Sequence, residues 1–313
     1  MRVTTLTGGT GGAKLLRGLA ACLPVSDLTV IGNTGDDAEM WGLHVSPDLD
    51  SVTYALAGCL DPTRGWGLRD ETFRCLDAMG RLGGETWFRL GDRDLATHLV
   101  RTRALRAGQT LSEVTAALAR ALEVRARILP MSDEPVRTRL RTPAGWLGLQ
   151  EYFVRERAKV EVLDVEYAGA AASRPAPGVV EAVREADVVV VCPSNPVTSV
   201  GPILAVPGIV NALGARAGPT VAVSPIIGGT AVSGPAGDLM RARRLPVSPV
   251  GIAQLYAPWL SALLVDARDA ELVPALRRAG VTPVVAEILM PDGGAEIAVA
   301  RAVLSAADVP RSR

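Results

Sequence analysis

This sequence predicts a doubly wound α/β fold on a mainly parallel sheet, and three observations carry the prediction. Runs at 186–191, 220–223, 262–265 and 283–286 are apolar except for Asp187 and Thr220, the pattern of strands covered on both faces. Segments of helical period, such as 111–122 and 270–279, lie between such runs, and strands alternating with helices build parallel sheets. Turns rich in glycine, proline and small polar residues follow the runs, which is where ligands collect in open α/β sheets.

The first strand is Val3-Thr4-Thr5-Leu6-Thr7, a β-branched run that stops at Gly8-Gly9. A helix is expected over 13–22 and a second strand over 28–31. A short run ending at Pro130 and the stretch 146–167 read as further strands, the latter in part antiparallel. The region 65–110 is mainly helical in pattern and interrupts the alternation. We therefore expect one domain over 1–313 with a mainly helical insertion at 65–110.

Composition narrows the function. The 33 basic residues balance the 33 acidic ones, so no general field attracts nucleic acid or an anionic membrane. No apolar run reaches the roughly 18–20 residues of a membrane span. Cys22, Cys59, Cys75 and Cys192 are scattered, with no CxxC pair, and no leader precedes the first strand. Reduced thiols in a cytoplasmic protein are the expectation. His44 and His98 are the only histidines, and neither has metal-ligand company in sequence. Lys14 and Lys159 are the only lysines, so a lysine near the first turn stands out.

The turn after the first strand is Gly8-Gly9-Thr10-Gly11-Gly12-Ala13-Lys14. Glycines let backbone N–H groups approach phosphate oxygens, and the helix that follows presents its positive end. The spacing is neither a Walker A sequence nor a full dinucleotide fingerprint. Lys14 tips the reading from a bare turn toward a phosphate site. After the second strand comes Gly32-Asn33-Thr34-Gly35-Asp36-Asp37, and then Ser46-Pro47-Asp48-Leu49-Asp50-Ser51 ahead of an apolar helix at 52–60. Ser46 or one of these aspartates caps that helix, or Asp36, Asp37, Asp48 and Asp50 supply hard oxygen ligands, of which a phosphate-bound magnesium needs one or two.

Three further turns leave two readings each. Arg89-Leu90-Gly91-Asp92-Arg93-Asp94 is an anion or hydroxyl site, or a capped helix end. Met131-Ser132-Asp133-Glu134-Pro135 offers carboxylates to a guanine edge, or caps a helix. Cys192-Pro193-Ser194-Asn195-Pro196 and Ser224-Pro225-Ile226-Ile227-Gly228-Gly229 mean little singly. Together at successive strand ends they point to one shared cleft.

In this order, the segments GGTGGAKLLRGL, NTGDD, SPDLDSVTYALAG, LGDRDLATH, ILPMSDEPV, PSNPVTSVGPI and VSPIIGG with VSGPAG span residues 8–237. The set resembles the CofD family, the 2-phospho-L-lactate transferases of coenzyme F-420 biosynthesis, and within it the actinobacterial, phosphoenolpyruvate-transferring branch. The resemblance implies a Rossmann-like, often dimeric fold and a magnesium-dependent phosphotransferase. The donor it implies is a guanosine diphosphate ester of lactate or enolpyruvate, and the acceptor is the deazaflavin Fo. Transfer gives (dehydro) coenzyme F-420-0 and GMP. By motif, Asp50 and Arg89 correspond to acceptor-binding positions. Gly9, Thr10, Gly11, Gly12, Lys14, Ser194 and Asn195 correspond to contacts of the guanosine diphosphate, with Asp36, Asp37 and Asp48 as metal candidates. Asp50 is also the candidate to orient or deprotonate the attacking hydroxyl. Asp238 stands where the resemblance implies a basic residue. The partners are thus small molecules, with neither nucleic acid nor membrane, in a homodimer.

Two rival readings are weighed. A related family with a similar glycine loop consists of nucleotide-sugar-binding regulators; SPDLD and LGDRDLATH favour the transferase, because its acceptor site is expected there. A nicotinamide dehydrogenase would carry an acidic residue at the tip of the second strand, where Asn33 stands.

Overall fold

The computed structural model describes residues 1–307. Its main sheet has strands β1 (Val3–Thr7), β2 (Leu28–Gly32), β3 (Arg127–Pro130), β4 (Val188–Val191), β5 (Thr220–Val223), β6 (Ala262–Val265) and β7 (Thr282–Val285). They lie in the order β7-β6-β5-β4-β1-β2-β3, with every pairing parallel. The chain builds outward from β1 to β3, returns to the other side of β1, and builds outward again to β7. Open sheets bind ligands in the crevice above such a reversal, here between β1 and β4.

Alternate strand residues face opposite layers, as the period of two demands. Val188 and Val190 pack with Leu15, Leu16 and Leu19 of helix α1 (Gly9–Cys22) and with Val299 and Val303 of the C-terminal helix Gly293–Ala306. Val189 and Val191 pack on the other side with Val183, Ile209, Leu213 and Ile252. Continuous apolarity thus has its cause: both faces are covered.

Between β2 and β3 stand helices α2 (Pro47–Leu56), α3 (Arg74–Arg81), α4 (Asp92–Arg106) and α5 (Leu111–Ala121). No single described helix is long and apolar enough to cross a membrane, and the four cysteines are unpaired.

Three details depart from the sequence reading. Helix α1 begins at Gly9, not at 13, because glycine's poor helix propensity conceals a first turn made of glycines. The helix expected over 270–279 is split into a 3-10 turn, Ala267–Leu272, and a short helix, Val273–Arg278. The strands within 146–167 are Gly145–Gly148 and Asp164–Ala168, and both pair antiparallel with an unanticipated strand, Arg137–Thr142. That strand alternates buried Thr138, Leu140 and Thr142 with more exposed arginines, a period-two signal thin in apolar residues.

The C-terminal helix seats α1. The Arg17 guanidinium donates through Nε to Glu296 Oε2 at 2.9 Å and through Nη2 to Oε1. Gly18 lies so close that a Cβ there would sit 2.1 Å from the Glu296 carbonyl oxygen. A backbone oxygen cannot step aside, so Gly18→Ala should cost about 1–3 kcal/mol. Urea unfolding measures this; a loss under about 0.5 kcal/mol, the size of an ordinary surface change, would contradict the packing.

Candidate active site at the strand reversal

The residues at the ends of β1 and β4 meet because glycine lets them. A Cβ on Gly8 would lie 2.0 Å from Asp48 Oδ2, one on Gly11 2.3 Å from the Pro193 carbonyl, and one on Gly12 1.9 Å from Thr7 Oγ1. Gly9 has φ +67°, in the left-handed region that favours glycine. The Gly8 N–H donates to Ser194 Oγ at 3.1 Å, joining the end of β1 to the loop after β4. Asn195 Oδ1 accepts from the amides of Val197 and Thr198 at 3.0 and 3.2 Å, which shapes that loop. Gly9, Thr10, Gly11 and Gly12 therefore form the first turn of α1, where backbone N–H groups lack intrahelical partners.

Thr10 Oγ1 donates to the Gly65 carbonyl at 3.3 Å. Lys14 donates from Nζ to the Met290 carbonyl at 2.8 Å. That contact ties it to the segment before the C-terminal helix, a bond no motif announces.

Asn33 is fully buried and binds three loops at once. Its Nδ2 donates to Asp48 Oδ2 at 2.8 Å and to the Thr198 carbonyl at 3.1 Å, while its Oδ1 accepts from the Gly35 amide at 2.7 Å. Around it lie the buried carboxylates of Asp36, Asp37 and Asp48. Asp37 Oδ2 accepts from Ser46 Oγ at 2.9 Å and meets His44 Nε2 at 2.9 Å. Gln150 Nε2 donates to Asp36 Oδ2 at 3.3 Å. Among the described residues, no lysine or arginine side chain hydrogen-bonds to any of the three, and Asp36 Oδ1 and Asp37 Oδ1 are buried without partners.

The energetic signature is plain. Burial, followed by the charges of Asp48 and Asp37, holds Asp36 well above the ordinary carboxylate range. Burial pushes Asp48 up to about 6, against the opposing hydrogen bond from Asn33. Hard oxygens are the donors Mg²⁺ or Ca²⁺ takes, and these carboxylates could supply one or two of them, but the three do not bring one ligand atom each within 4.8 Å of one another.

A second buried group lies deeper, between α2 and α4. The Arg101 guanidinium donates through Nη1 to Asp50 Oδ2 at 3.0 Å and through Nη2 to Asp50 Oδ1. Its Nη1 also meets His98 Nδ1 at 3.2 Å, and His98 Nε2 lies 3.3 Å from Asp94 Oδ1. Tyr54 donates its hydroxyl to Asp94 Oδ1 at 2.7 Å. Asp50, Asp94 and His98 bring candidate metal-ligand atoms within 4.8 Å of one another. The expectation that both histidines lack such company is thereby corrected: Asp94 and His98 share one face of α4 at i,i+4, and α2 brings up Asp50. In this group Arg101 already supplies a cation to Asp50, whereas Asp36, Asp37 and Asp48 have none.

Several carboxylates of these turns serve as caps. Glu71 accepts from the first-turn amides of α4, Arg93 N at 2.8 Å and Asp94 N at 3.0 Å. Asp92 accepts in return from Arg74 N and Cys75 N at the start of α3, at 3.1 and 3.0 Å. Asp133 Oδ1 accepts from Ser112 N and Oγ of α5, both at 2.7 Å. Glu134 accepts from the Arg174 backbone and guanidinium; led by that backbone bond, these contacts hold it down at about 2. Arg89 is exposed and stacks on Phe73, its Cζ 4.6 Å from the ring centroid; it hydrogen-bonds to none of the site carboxylates. Asp238 pairs with Arg241.

The raised carboxylates fix the sign of a pH effect. Protons that Asp36 and Asp48 retain in the folded protein are released in the unfolded chain, so folding stability falls as pH rises from about 4 through about 6. In chelator, we expect urea stability to drop by roughly 1–3 kcal/mol across that window. Asp48→Asn should flatten the drop and leave the variant more stable than the parent at neutral pH. A parent curve that rises across the window would overturn the charge assignment.

Comparison with known proteins agrees with this architecture. The chain is 44% identical over 318 residues to the phosphoenolpyruvate transferase of Streptomyces griseus, covering 100% of both chains. It is 42% identical over 285 residues to the 2-phospho-L-lactate transferase of Methanosarcina acetivorans, covering 91% of this chain and 92% of that one. A crystal structure of a UPF0052 family member from Bacillus halodurans superposes with a TM-score of 0.67 at 21% identity, over 97% of this chain and 100% of that one, a likeness of fold. Residues 3–299 match the model of the family described as 2-phospho-L-lactate transferase CofD. With the parallel sheet, the glycine turn and the carboxylates at its reversal, the chain belongs to the CofD family.

Proposed function

We propose that this chain is a CofD-type transferase of coenzyme F-420 biosynthesis. It moves the phosphoenolpyruvyl group of a guanosine diphosphate ester to the terminal ribityl hydroxyl of Fo. The hydroxyl oxygen attacks the distal phosphorus as its proton passes by way of Asp50, the bond to the bridging oxygen breaks, and GMP leaves. The full-length likeness to the Streptomyces enzyme favours enolpyruvate over lactate as the donor acid.

One observation carries the reading: three buried carboxylates without a lysine or arginine partner lie beside the first turn of a glycine-built helix. Phosphoryl transfer asks a protein mainly for positioning and charge neutralisation. The amides of the first turn of α1, with Ser194 and Asn195 in the adjacent loop, hold the diphosphate. Lys14 has two N–H donors beyond the one given to Met290, and its charge adds to the positive helix end. One or more of Asp36, Asp37 and Asp48 would hold magnesium, which would offset charge on the diphosphate and the leaving GMP. Asp50 accepts a hydrogen bond from the ribityl hydroxyl and aims it, while Arg89, with the Phe73 ring, receives the deazaflavin. In this reading the helical stretch 65–110 is the insertion that caps the acceptor side of a single domain.

The test incubates the protein with Fo, Mg²⁺ and each of the enolpyruvyl, lactyl and glyceryl guanosine donors, then weighs the products. We expect a deazaflavin product and GMP, most from the enolpyruvyl donor, and none in excess chelator. Asp50→Asn should lower kcat about 10²-fold, the scale of a misaimed reactant, with donor KM little changed. No deazaflavin product from any donor would sink the proposal and favour a nucleotide-binding regulator.

A further inference from the structure

We infer that Arg101 is the positioning residue for Asp50, clamping both carboxylate oxygens so that their outer lone pairs face the acceptor hydroxyl. The inference rests on the reading of Asp50 as an acceptor-site residue, and extends it to a residue that never meets the substrate.

Arg101 is 2% exposed; its Nε is buried without a partner, and its bonds to protein groups are made by the terminal nitrogens. Its two terminal nitrogens form the planar fork that matches a carboxylate, one N–H to each oxygen of Asp50. A carboxylate offers about four lone-pair sites. The fork takes one on each oxygen and leaves the outer ones, so the clamp fixes the plane of Asp50 without closing it to a hydroxyl donor.

The fork is itself held. A guanidinium only donates, so the His98 nitrogen that meets Arg101 at 3.2 Å presents a lone pair. The other ring nitrogen, Nε2, lies 3.3 Å from Asp94 Oδ1. Asp94 also takes the Tyr54 hydroxyl at 2.7 Å, and Tyr54 meets Thr97 Oγ1 at 2.8 Å. Tyr54 donates to Asp94 from one side with the His98 ring on the other, while Arg101 donates both to His98 and to Asp50. Both helices contribute: α2 carries Asp50 and Tyr54, α4 carries Asp94, His98 and Arg101. A lysine at 101 would keep the charge and lose the fork.

The experiment compares the full-length parent, Arg101→Lys, Asp50→Asn and the double variant D50N/R101K. Readouts are kcat, KM for Fo, KM for the guanosine donor, and GMP affinity by calorimetry. Arg101→Lys should lose about 10- to 100-fold in kcat or in kcat/KM for Fo, the range for a misplaced reacting group. Donor KM and GMP affinity should stay within about twofold, below the size of a lost hydrogen bond. The double variant should be no slower than Asp50→Asn alone, because Arg101 acts through Asp50.

Parental kinetics in Arg101→Lys, equal losses on the donor and acceptor sides, or a double variant slowed by the product of the single losses would each overturn the inference. If Arg101→Lys does not fold, D50N/R101Q replaces the buried ion pair by two amides and is compared with Asp50→Asn: equal rates support the clamp, and a further loss refutes it. A parent protein inactive toward Fo with every donor overturns the functional reading and the inference together. An active parent with an indifferent Arg101→Lys overturns the inference alone.

Discussion

Asp36, Asp37 and Asp48 sit together beneath the carboxyl ends of β1 and β2, where water is excluded and no lysine or arginine hydrogen-bonds to them. Burying like charges side by side costs free energy at neutral pH, so neighbouring groups must be built to hold them. Asn33 turns its amide N–H groups toward Asp48 and the loop after β4, and its oxygen toward the Gly35 amide. Ser46 and His44 serve Asp37. Glycine at position 8 is part of the same arrangement, since any side chain there would displace Asp48. The repulsion among these carboxylates is thereby concentrated beside the first turn of α1, where a cation would relieve it.

The acid group between α2 and α4 follows the opposite logic. Asp50 has its counter-charge in Arg101, and Asp94 has donors in Tyr54 and the His98 ring. Those contacts outweigh the effect of burial and hold Asp94 below its ordinary value. Burial, then the charges of Asp50 and Asp94, keep the Tyr54 hydroxyl well above its own, so it remains a donor. Asp36, Asp37 and Asp48 thus lack the lysine or arginine partner that Asp50 has, although Arg101 Nε and His98 Nε2 are themselves buried without partners. A step of only two residues along α2, from Asp48 to Asp50, separates the two groups.

Much of this was legible in the chain. The buried strands announce themselves because a sheet covered on both faces needs unbroken apolar runs, and the glycines mark the first turn because close approach permits nothing larger. What was not legible depends on contacts across long separations. Glu71 and Asp92 cap each other's helices across a turn, yet a string of charges before a helix reads equally well as a ligand site. His98 finds Asp50 48 residues away only once α2 and α4 are side by side. Arg137–Thr142 escaped because only Leu140 gives its buried face a strongly apolar residue.

Lys14 shows how a local pattern can conceal a structural contact. Its rarity and its place beside the glycines suggest a phosphate role from sequence, but its ammonium is bonded to the Met290 carbonyl. Arg17 holds Glu296 one turn further on, and Gly18 admits the Glu296 backbone. Three residues on one side of α1 are thus spent on the segment 290–296, nearly the whole chain away. A helix whose first turn offers only backbone amides cannot aim them by side chains of its own. Its direction is set by what braces its flank, and the brace is the last helix of the fold.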